Sequence, residues 1–172
     1  MTAMFGMSEV LRHSGAMDAA PVTVPSPQSD CPLLFGRVLD GKGGARAIEW
    51  DEAQGWTPAH AGEVLWLHLQ RTCPGLEEWL RFKLHIPEPT AEMLVSDMTR
   101  PRAICEGEAL VATLRDLNFN PGSEPEDMIS MQLWSDGQRL LTLRRAPQQS
   151  PNEIRDQLDH GMGPHDAGAM IT

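Results

Sequence analysis

The 172-residue sequence contains no tyrosine and only three cysteines, Cys31, Cys73 and Cys105. An odd number of widely spaced cysteines provides neither a CxxC metal clamp nor a disulfide framework, and it is typical of a reducing compartment. Long apolar runs are missing too, since no window approaches the ~20 consecutive apolar residues that a bilayer span requires. Residues 1–30 lack the basic and apolar regions of a secretory signal. We therefore expect this chain by itself to be soluble.

Signatures of common catalytic sites are absent from the sequence as well. It has no GxSxG nucleophile elbow, no HExxH zinc motif and no cysteine beside an evident base. The sequence therefore predicts a protein that is not an enzyme.

Basic residues are scarce. Fourteen Lys and Arg stand against 24 Asp and Glu, which gives a formal net charge of -10. Duplex nucleic acid and anionic membrane surfaces are disfavoured as partners, because both attract clustered Lys and Arg. Cations are the more natural partner of this composition.

The length and composition predict one folded domain. Hydrophobic residues make up 41% of the chain and charged residues 22%, which is enough for a single core. Residues 1–30 are rich in Met, Ala, Ser and Pro and are predicted to form a mobile tail, and residues 31–172 the folded domain. An apolar strand is predicted over 32–40, and the glycine-rich turn after it leads into a second strand over Ala45 to Trp50.

The periodicity of apolar residues predicts the elements in the middle of the chain. A mostly buried strand is expected over 63–70. Two amphipathic helices follow over 75–84 and 87–97, the second with Thr90 as its N-cap.

The second half of the sequence changes to a period of two. Four strands are predicted after Arg100, and the last two are joined by Asp136-Gly137, a strong hairpin signal. A final helix begins with Ser150, which is predicted to form a capping box with Glu153, and Gly161 is its expected C-cap. This order of elements predicts an α/β (α+β) layered domain.

One group of residues near the C-terminal end has the chemistry of metal ligands. Carboxylates and imidazoles suit hard and borderline cations, and here they lie within one helix end and the turn after it. The same carboxylates on a helix also fit a plain solvated face. The candidate ligands are Asp156, Asp159, His160, His165 and Asp166.

Arginines recur around the predicted strand meander. On adjacent strands they could pair with acidic neighbours or hold a small anion, and cross-strand ion pairs are the more common use. The residues in question are Arg100, Arg102, Arg115, Arg144 and Arg145.

Several ordered blocks carry a family resemblance. They are "GKGGARAIEWDEA", "LWLHLQ", "MTRPRAICEGEALVATLRDLNF" with the hairpin that follows it, and "IRDQLDHGMGPHDAGAM". Together they resemble the N-terminal cytoplasmic domain of CorA-type divalent-cation transporters, most closely the zinc-transporting ZntB branch. The pattern GxGPxDAG near the end and the TRPR block are the most specific parts.

The resemblance implies a cytosolic αβα sandwich with a mixed, largely antiparallel sheet of about seven strands. It also implies a soluble regulatory domain of a zinc or other divalent-cation transporter, located at the cytoplasmic face of the bacterial inner membrane. In the CorA branch the ions are magnesium and cobalt. The ion would be transported or regulatory rather than a tightly bound cofactor.

This sequence departs from the family pattern in three respects. The Gly-Met-Asn pore motif, both membrane helices and the long helix that leads into them are missing, so we expect this fragment to reach the membrane only through C-terminal helices that it lacks. The resemblance implies a pentamer for the full-length protein, and we expect the fragment alone to be monomeric or weakly associated. A stand-alone binding or scaffold domain without transport activity is the alternative.

Overall fold

The structure is a computed structural model that describes residues 31–124 and 126–171. The predicted tail, residues 1–30, lies outside the described residues. The described part contains seven strands and four helices, which follow one another in this order: β1 Leu33–Leu39, β2 Ala45–Ala47, α1 Trp50–Gln54, β3 Val64–Gln70, α2 Leu76–Phe82, α3 Glu88–Val95, β4 Arg102–Glu106, β5 Ala109–Asp116, β6 Ile129–Ser135, β7 Arg139–Arg144 and α4 Ser150–Asp159.

All seven strands form one mixed sheet with the order β2-β1-β3-β7-β6-β5-β4. Neighbouring strands are antiparallel except β3 and β7, which run parallel in the middle of the sheet. A parallel pair requires a long crossover connection, and here the chain between the two strands forms α2, α3 and the β4–β6 meander. The predicted α/β fold with a largely antiparallel sheet of about seven strands is confirmed.

Helices cover both faces of the sheet because its central strands are apolar on both faces. On one face Leu67 and Leu143 pack with Leu80 of α2 and Leu94 of α3. On the other face Trp66 and Leu140 pack with Leu158 of α4. These two clusters form the two layers of the hydrophobic core.

The second predicted strand is shorter than expected. Its pairing with β1 ends at Ala47, and the chain then forms the short helix α1 instead of continuing to Trp50 as a strand. Ala53 of this helix is buried, and the Trp50 ring lies 4.7 Å from the Trp79 ring. Packing of these aromatic rings therefore overrides the strand propensity of the segment.

The predicted N-caps of two helices are wrong. Helix α3 begins one turn earlier, after Pro87, and Thr90 inside it donates a hydrogen bond to Glu106 Oε2 at 2.7 Å. Helix α4 has Gln149 as its N-cap, and no side chain caps it. Ser150 instead donates to Asp116 Oδ2 of β5 at 2.7 Å. Both hydroxyls bond to the sheet, where tertiary contacts compete with local capping.

Candidate functional site

A bidentate ion pair connects the last turn of α4 to β1. Arg37 donates from Nε and Nη2 to the two carboxylate oxygens of Asp159, each at 2.7 Å, and from Nη1 to the carbonyl of Gly36 at 2.8 Å. The hydrogen bond from Arg37 lowers the pKa of Asp159, and the same bond raises the pKa of Arg37. Asp159 is therefore held ionised at neutral pH.

The other predicted metal ligands do not converge with Asp159 on one point. Asp156 accepts hydrogen bonds from Arg155 at 2.8 and 3.0 Å. His160 donates from Nδ1 to the backbone carbonyl of Asp156 at 2.6 Å. Asp166 Oδ1 accepts from the amide of Ala169 at 2.8 Å.

No metal-binding group of three or more His, Cys, Asp or Glu residues occurs within residues 31–124 and 126–171. All five candidates, Asp156, Asp159, His160, His165 and Asp166, have exposed side chains. The structure thus places them on one surface region and does not assemble them into a closed site. Their role as metal ligands stays a prediction.

The segment after α4 docks on the turn between β1 and β2. The amide of Gly163 donates to the carbonyl of Gly43 at 2.8 Å. A Cβ on Gly43 would lie 3.1 Å from the carbonyl oxygen of Gly163, and a Cβ on Gly163 would lie 2.5 Å from Cδ2 of Leu158. Gly163, the second glycine of GxGPxDAG, and Gly43 in the glycine-rich turn therefore allow the two backbone segments to approach each other closely.

A cleft of about 440 Å³ lies beside this contact, and its charged lining residues are Asp40, Glu63, Asp159 and Arg46. Asp40 Oδ1 accepts backbone hydrogen bonds from Lys42 and Gly44 at 2.7 and 3.0 Å, and the bond from Lys42 is the main cause of the lowered pKa of Asp40. Glu63 accepts from the amide of Ala59 at 2.8 Å. This grouping could not be predicted, because Asp40 and Glu63 lie far from α4 along the chain.

A second charged cluster lies where β3 and β7 end. Arg71 follows β3 and Arg145 follows β7, and both donate to Asp97 Oδ1, at 2.7 and 2.8 Å. The Arg71 side chain is only 3% exposed, and burial lowers its pKa although Asp97 acts in the opposite direction. The hydrogen bond from Arg145 is the main reason that the pKa of Asp97 is lowered.

This cluster shows which residue one of the predicted arginines contacts, and it contains a second arginine that was not predicted. Arg145 forms an ion pair, as the more common alternative predicted, but its partner lies after α3 and not on an adjacent strand. Arg71 was missed, since only the parallel pairing of β3 with β7 brings it next to Arg145.

His68 is a core residue and not an open ligand. It is 1% exposed, and its Nδ1 lies 2.9 Å from Thr142 Oγ1, which also accepts a hydrogen bond from Trp66 Nε1. The Phe35 ring stacks on it at 4.8 Å. Burial is the main cause that lowers the pKa of His68 to about 3, so the ring is neutral at physiological pH.

Comparison with known proteins identifies a family for this chain. The family described as CorA-like Mg2+ transporter protein matches residues 61–172. This chain belongs to the CorA-like family. The matched region contains β3 to β7, the Arg71 cluster and the docked segment after α4.

Two curated relatives from this CorA-like family illustrate the similarity. The divalent cation transporter CmaX of Pseudomonas aeruginosa is 35% identical over 140 residues, which is 81% of this chain and 42% of that protein. The zinc transport protein ZntB of Yersinia pestis is 31% identical over 139 residues, or 81% of this chain and 41% of that protein. The chain thus spans less than half the length of these relatives.

Solved structures extend the comparison to the fold. Full-length CmaX is similar with a TM-score of 0.78 and 33% identity, covering 83% of this chain and 44% of that one. The ZntB cytoplasmic domain from Vibrio parahaemolyticus has a TM-score of 0.70 and 25% identity, covering 82% of this chain and 55% of that one. The part of the chain that the structure describes contains no helix long and apolar enough to cross a membrane.

Proposed function

We propose that this chain is the cytoplasmic regulatory domain of a divalent-cation transporter, with zinc as the carried ion. The similarity to the ZntB cytoplasmic domain, with a TM-score of 0.70 over 82% of this chain, is the observation that carries the proposal. Sequence similarity to zinc transport proteins over 81% of the chain supports it. The domain would act at the cytoplasmic face of the bacterial inner membrane.

The charge of the molecule supports an interaction with cations. A net charge of -10 raises the local concentration of divalent ions near the surface. The carboxylates and imidazoles around the end of α4 are exposed, and of these Asp159 already accepts hydrogen bonds from Arg37 at both oxygens. We propose that they hold zinc weakly, with ligands completed at a subunit interface, and that the chain alone is monomeric or weakly associated.

Calorimetric titration of the chain with Zn²⁺ and with Mg²⁺ tests this proposal. We expect weak zinc binding that the double variant His160→Ala/His165→Ala reduces, because neutral imidazoles are good zinc ligands and poor magnesium ligands. His85→Asn, an exposed histidine distant in sequence from α4, is the matched control and should leave binding unchanged. A nanomolar site in the monomer would contradict weak interface binding.

A chimera tests the link to transport. This chain would replace the matching segment of CmaX, to which it is 35% identical, and ion uptake would be measured in vesicles that contain the purified chimera. We expect uptake of zinc that depends on the cytoplasmic domain being folded. A folded chimera that inserts in the membrane and carries no divalent ion would instead favour a stand-alone binding domain.

A further inference from the structure

A cavity of about 230 Å³ lies where the chain before α4 meets the loop after β5. Leu117, Phe119 and Asn120 of this loop line it together with Gln148 and Asn152 at the start of α4. Among the described residues that line the cavity, none carries a charged side chain. We call it the amide cavity, since its polar lining side chains are carboxamides. The cavity suits a neutral ligand, because it offers an ion no opposite charge.

Gln148 is the unusual residue of the amide cavity. It is only 4% exposed, and neither Nε2 nor Oε1 of its side chain has a hydrogen-bond partner within residues 31–124 and 126–171. Buried carboxamides are normally hydrogen-bonded, because an unpaired donor or acceptor away from water lowers the stability of the folded state. An unpaired amide in a residue that lines a cavity indicates that its partner comes from outside the chain.

Hydrogen bonds fix the walls of the amide cavity. Asn120 donates from Nδ2 to Asn118 Oδ1 at 2.7 Å and to the carbonyl of Pro147 at 3.1 Å, which connects the loop to the chain before α4. Asn152 Nδ2 donates to the carbonyl of Gln148 at 3.0 Å. A ligand therefore does not have to order these segments, and such preorganisation lowers the cost of binding.

Two large apolar side chains also line the amide cavity. Leu117 is 49% exposed and Phe119 is 68% exposed. Apolar side chains that combine with a few polar groups in a recess are typical of binding sites. A water molecule could pair with the Gln148 amide, but it would leave these two side chains uncovered. The lining therefore favours a ligand that has an apolar part as well as a polar one.

The unpaired atoms of Gln148 define the polar part of the ligand. Nε2 donates hydrogen bonds and Oε1 accepts them, so a complementary group must accept and donate at adjacent atoms. An anion only accepts and an ammonium group only donates, so each would leave one atom of the amide unpaired. A primary carboxamide has a carbonyl and an NH₂ group on one carbon, and two such groups pair through two hydrogen bonds.

Size and charge argue against a nucleotide, which presents similar atoms on its base. The amide cavity, at about 230 Å³, is smaller than the roughly 300–1,000 Å³ of sites for drug-sized ligands. The net charge of -10 also repels phosphate groups. A small carboxamide satisfies both constraints.

We propose that the amide cavity binds a primary carboxamide with an apolar stem, supplied either by an Asn or Gln side chain of a protein segment or by a small molecule. The ligand exchanges two hydrogen bonds with the side chain of Gln148, and Leu117 and Phe119 cover its stem. This binding requires neither zinc nor a subunit contact, so it can fail without affecting the zinc titration.

An NMR titration of the ¹⁵N-labelled chain with benzamide tests the chemistry of the ligand. We expect saturable shifts of the Gln148 side-chain amide and of the Phe119 backbone amide at millimolar concentrations, because so small a ligand binds weakly. Benzoate has no N–H donor, and N,N-dimethylbenzamide has none either. Each should therefore bind about tenfold more weakly than benzamide, or weaker still.

A variant of the cavity tests the role of Gln148. Gln148→Met retains the length of the side chain and lacks the amide, so it should weaken benzamide binding about tenfold or more. The fold should be retained, because the amide has no partner to lose among the described residues. Gln157→Met, an exposed glutamine of α4 outside the cavity, is the matched control and should leave binding unchanged.

Two natural sources of a carboxamide are distinguished by comparing free L-glutamine with the peptide acetyl-Leu-Gln-Leu-N-methylamide. Tighter binding of the peptide supports a protein segment as the ligand, because its flanking leucines extend the contact with Leu117 and Phe119. Equal or tighter binding of glutamine supports a small molecule. The corresponding Met peptide, which lacks the carboxamide, should bind more weakly than the Gln peptide.

Three results would overturn the proposal. The first is a titration in which benzamide shifts neither Gln148 nor Phe119 up to its solubility limit. The second is equal binding of benzamide and N,N-dimethylbenzamide, which would leave an apolar recess without carboxamide recognition. The third is a Gln148→Met chain that binds benzamide as tightly as the original chain. Circular dichroism verifies the fold of the variant, and the series of ligands on the original chain decides the matter even if the variant does not fold.

Discussion

The Arg37–Asp159 ion pair provides the sharpest test of how α4 is held on the sheet. We consider the single variants Arg37→Met and Asp159→Asn together with the double variant. Arg37→Met removes both hydrogen bonds between β1 and the last turn of α4, at 2.7 Å each, whereas Asp159→Asn removes the negative charge and one of the two acceptors. The double-mutant cycle isolates their coupling from the other contacts of each side chain.

The burial of the two partners sets the expected magnitude. The side chain of Arg37 is 13% exposed and that of Asp159 is 38% exposed, so the pair lies between a surface ion pair and a buried one. Fully exposed pairs contribute roughly 0.2–1 kcal/mol, and a bidentate arginine–carboxylate pair lies at the strong end. We expect a coupling free energy of about 1 kcal/mol. The exposed pair Arg46 and Glu52 is the matched control, with an expected coupling of about 0.3 kcal/mol or less.

Urea denaturation followed by tryptophan fluorescence measures this coupling. The folded pKa of Asp159 lies below its unfolded value of about 3.9, so the stabilisation is complete above that pH and is lost as the pH falls through the folded pKa. The coupling should therefore be present at pH 7 and disappear in strong acid. A coupling near zero at pH 7, or an equal coupling in strong acid, would refute the argument.

Three further predictions concern the core and the docked segment. Leu158→Ala should destabilise the protein by about 2–4 kcal/mol, because Leu158 is 1% exposed, while the exposed Leu117→Ala should change the stability by less than about 0.5 kcal/mol in the same urea titration. Gly163→Ala should cost about 1–3 kcal/mol because its Cβ would overlap Leu158 Cδ2, and a smaller cost in the Leu158→Ala background would verify that contact. The folded pKa of His68 is about 3, below the unfolded value of about 6.5, so stability should fall with decreasing pH between these values by up to about 1.4 kcal/mol per unit. His68→Gln should reduce the dependence of the free energy of unfolding on pH in this range. An unchanged dependence would show that His68 does not cause it.

Elements with a strong local signal could be predicted from the sequence. The predicted hairpin between β6 and β7 is present, and the amide of Asp136 donates to the carbonyl of Arg139 across it at 3.2 Å. Only Gly137 of the predicted pair has a positive φ, of +89°. The last predicted strand of the meander is present as β7, and its Leu141 and Leu143 are 1% and 0% exposed. Such signals depend on near neighbours in the chain, so a single sequence contains them.

Features that depend on distant contacts could not be predicted. The cap of α4 failed because Ser150 bonds to Asp116, which is remote in the sequence. The cluster of Arg71, Asp97 and Arg145 exists only because β3 and β7 are neighbours, and no local pattern reports that pairing. The candidate metal residues lie in the last turns of α4 and in the segment after it, and their role as ligands stays a prediction. The ion pair between Asp159 and Arg37 of β1 had no sequence signal.

The parallel pairing of β3 with β7 also has a consequence for folding kinetics. During synthesis β3 leaves the ribosome long before β7. Strand β3, which is buried on both faces in the folded protein, therefore has one edge unpaired until β7 is made. Closing a contact over so long a loop is entropically slow, and an unpaired apolar edge promotes aggregation. We expect ribosome-bound chains to resist proteolysis only after Arg144 has left the exit tunnel. Until then the two halves of the sheet exist as separate, unstable pieces, and the last strand to be made is the one that joins them.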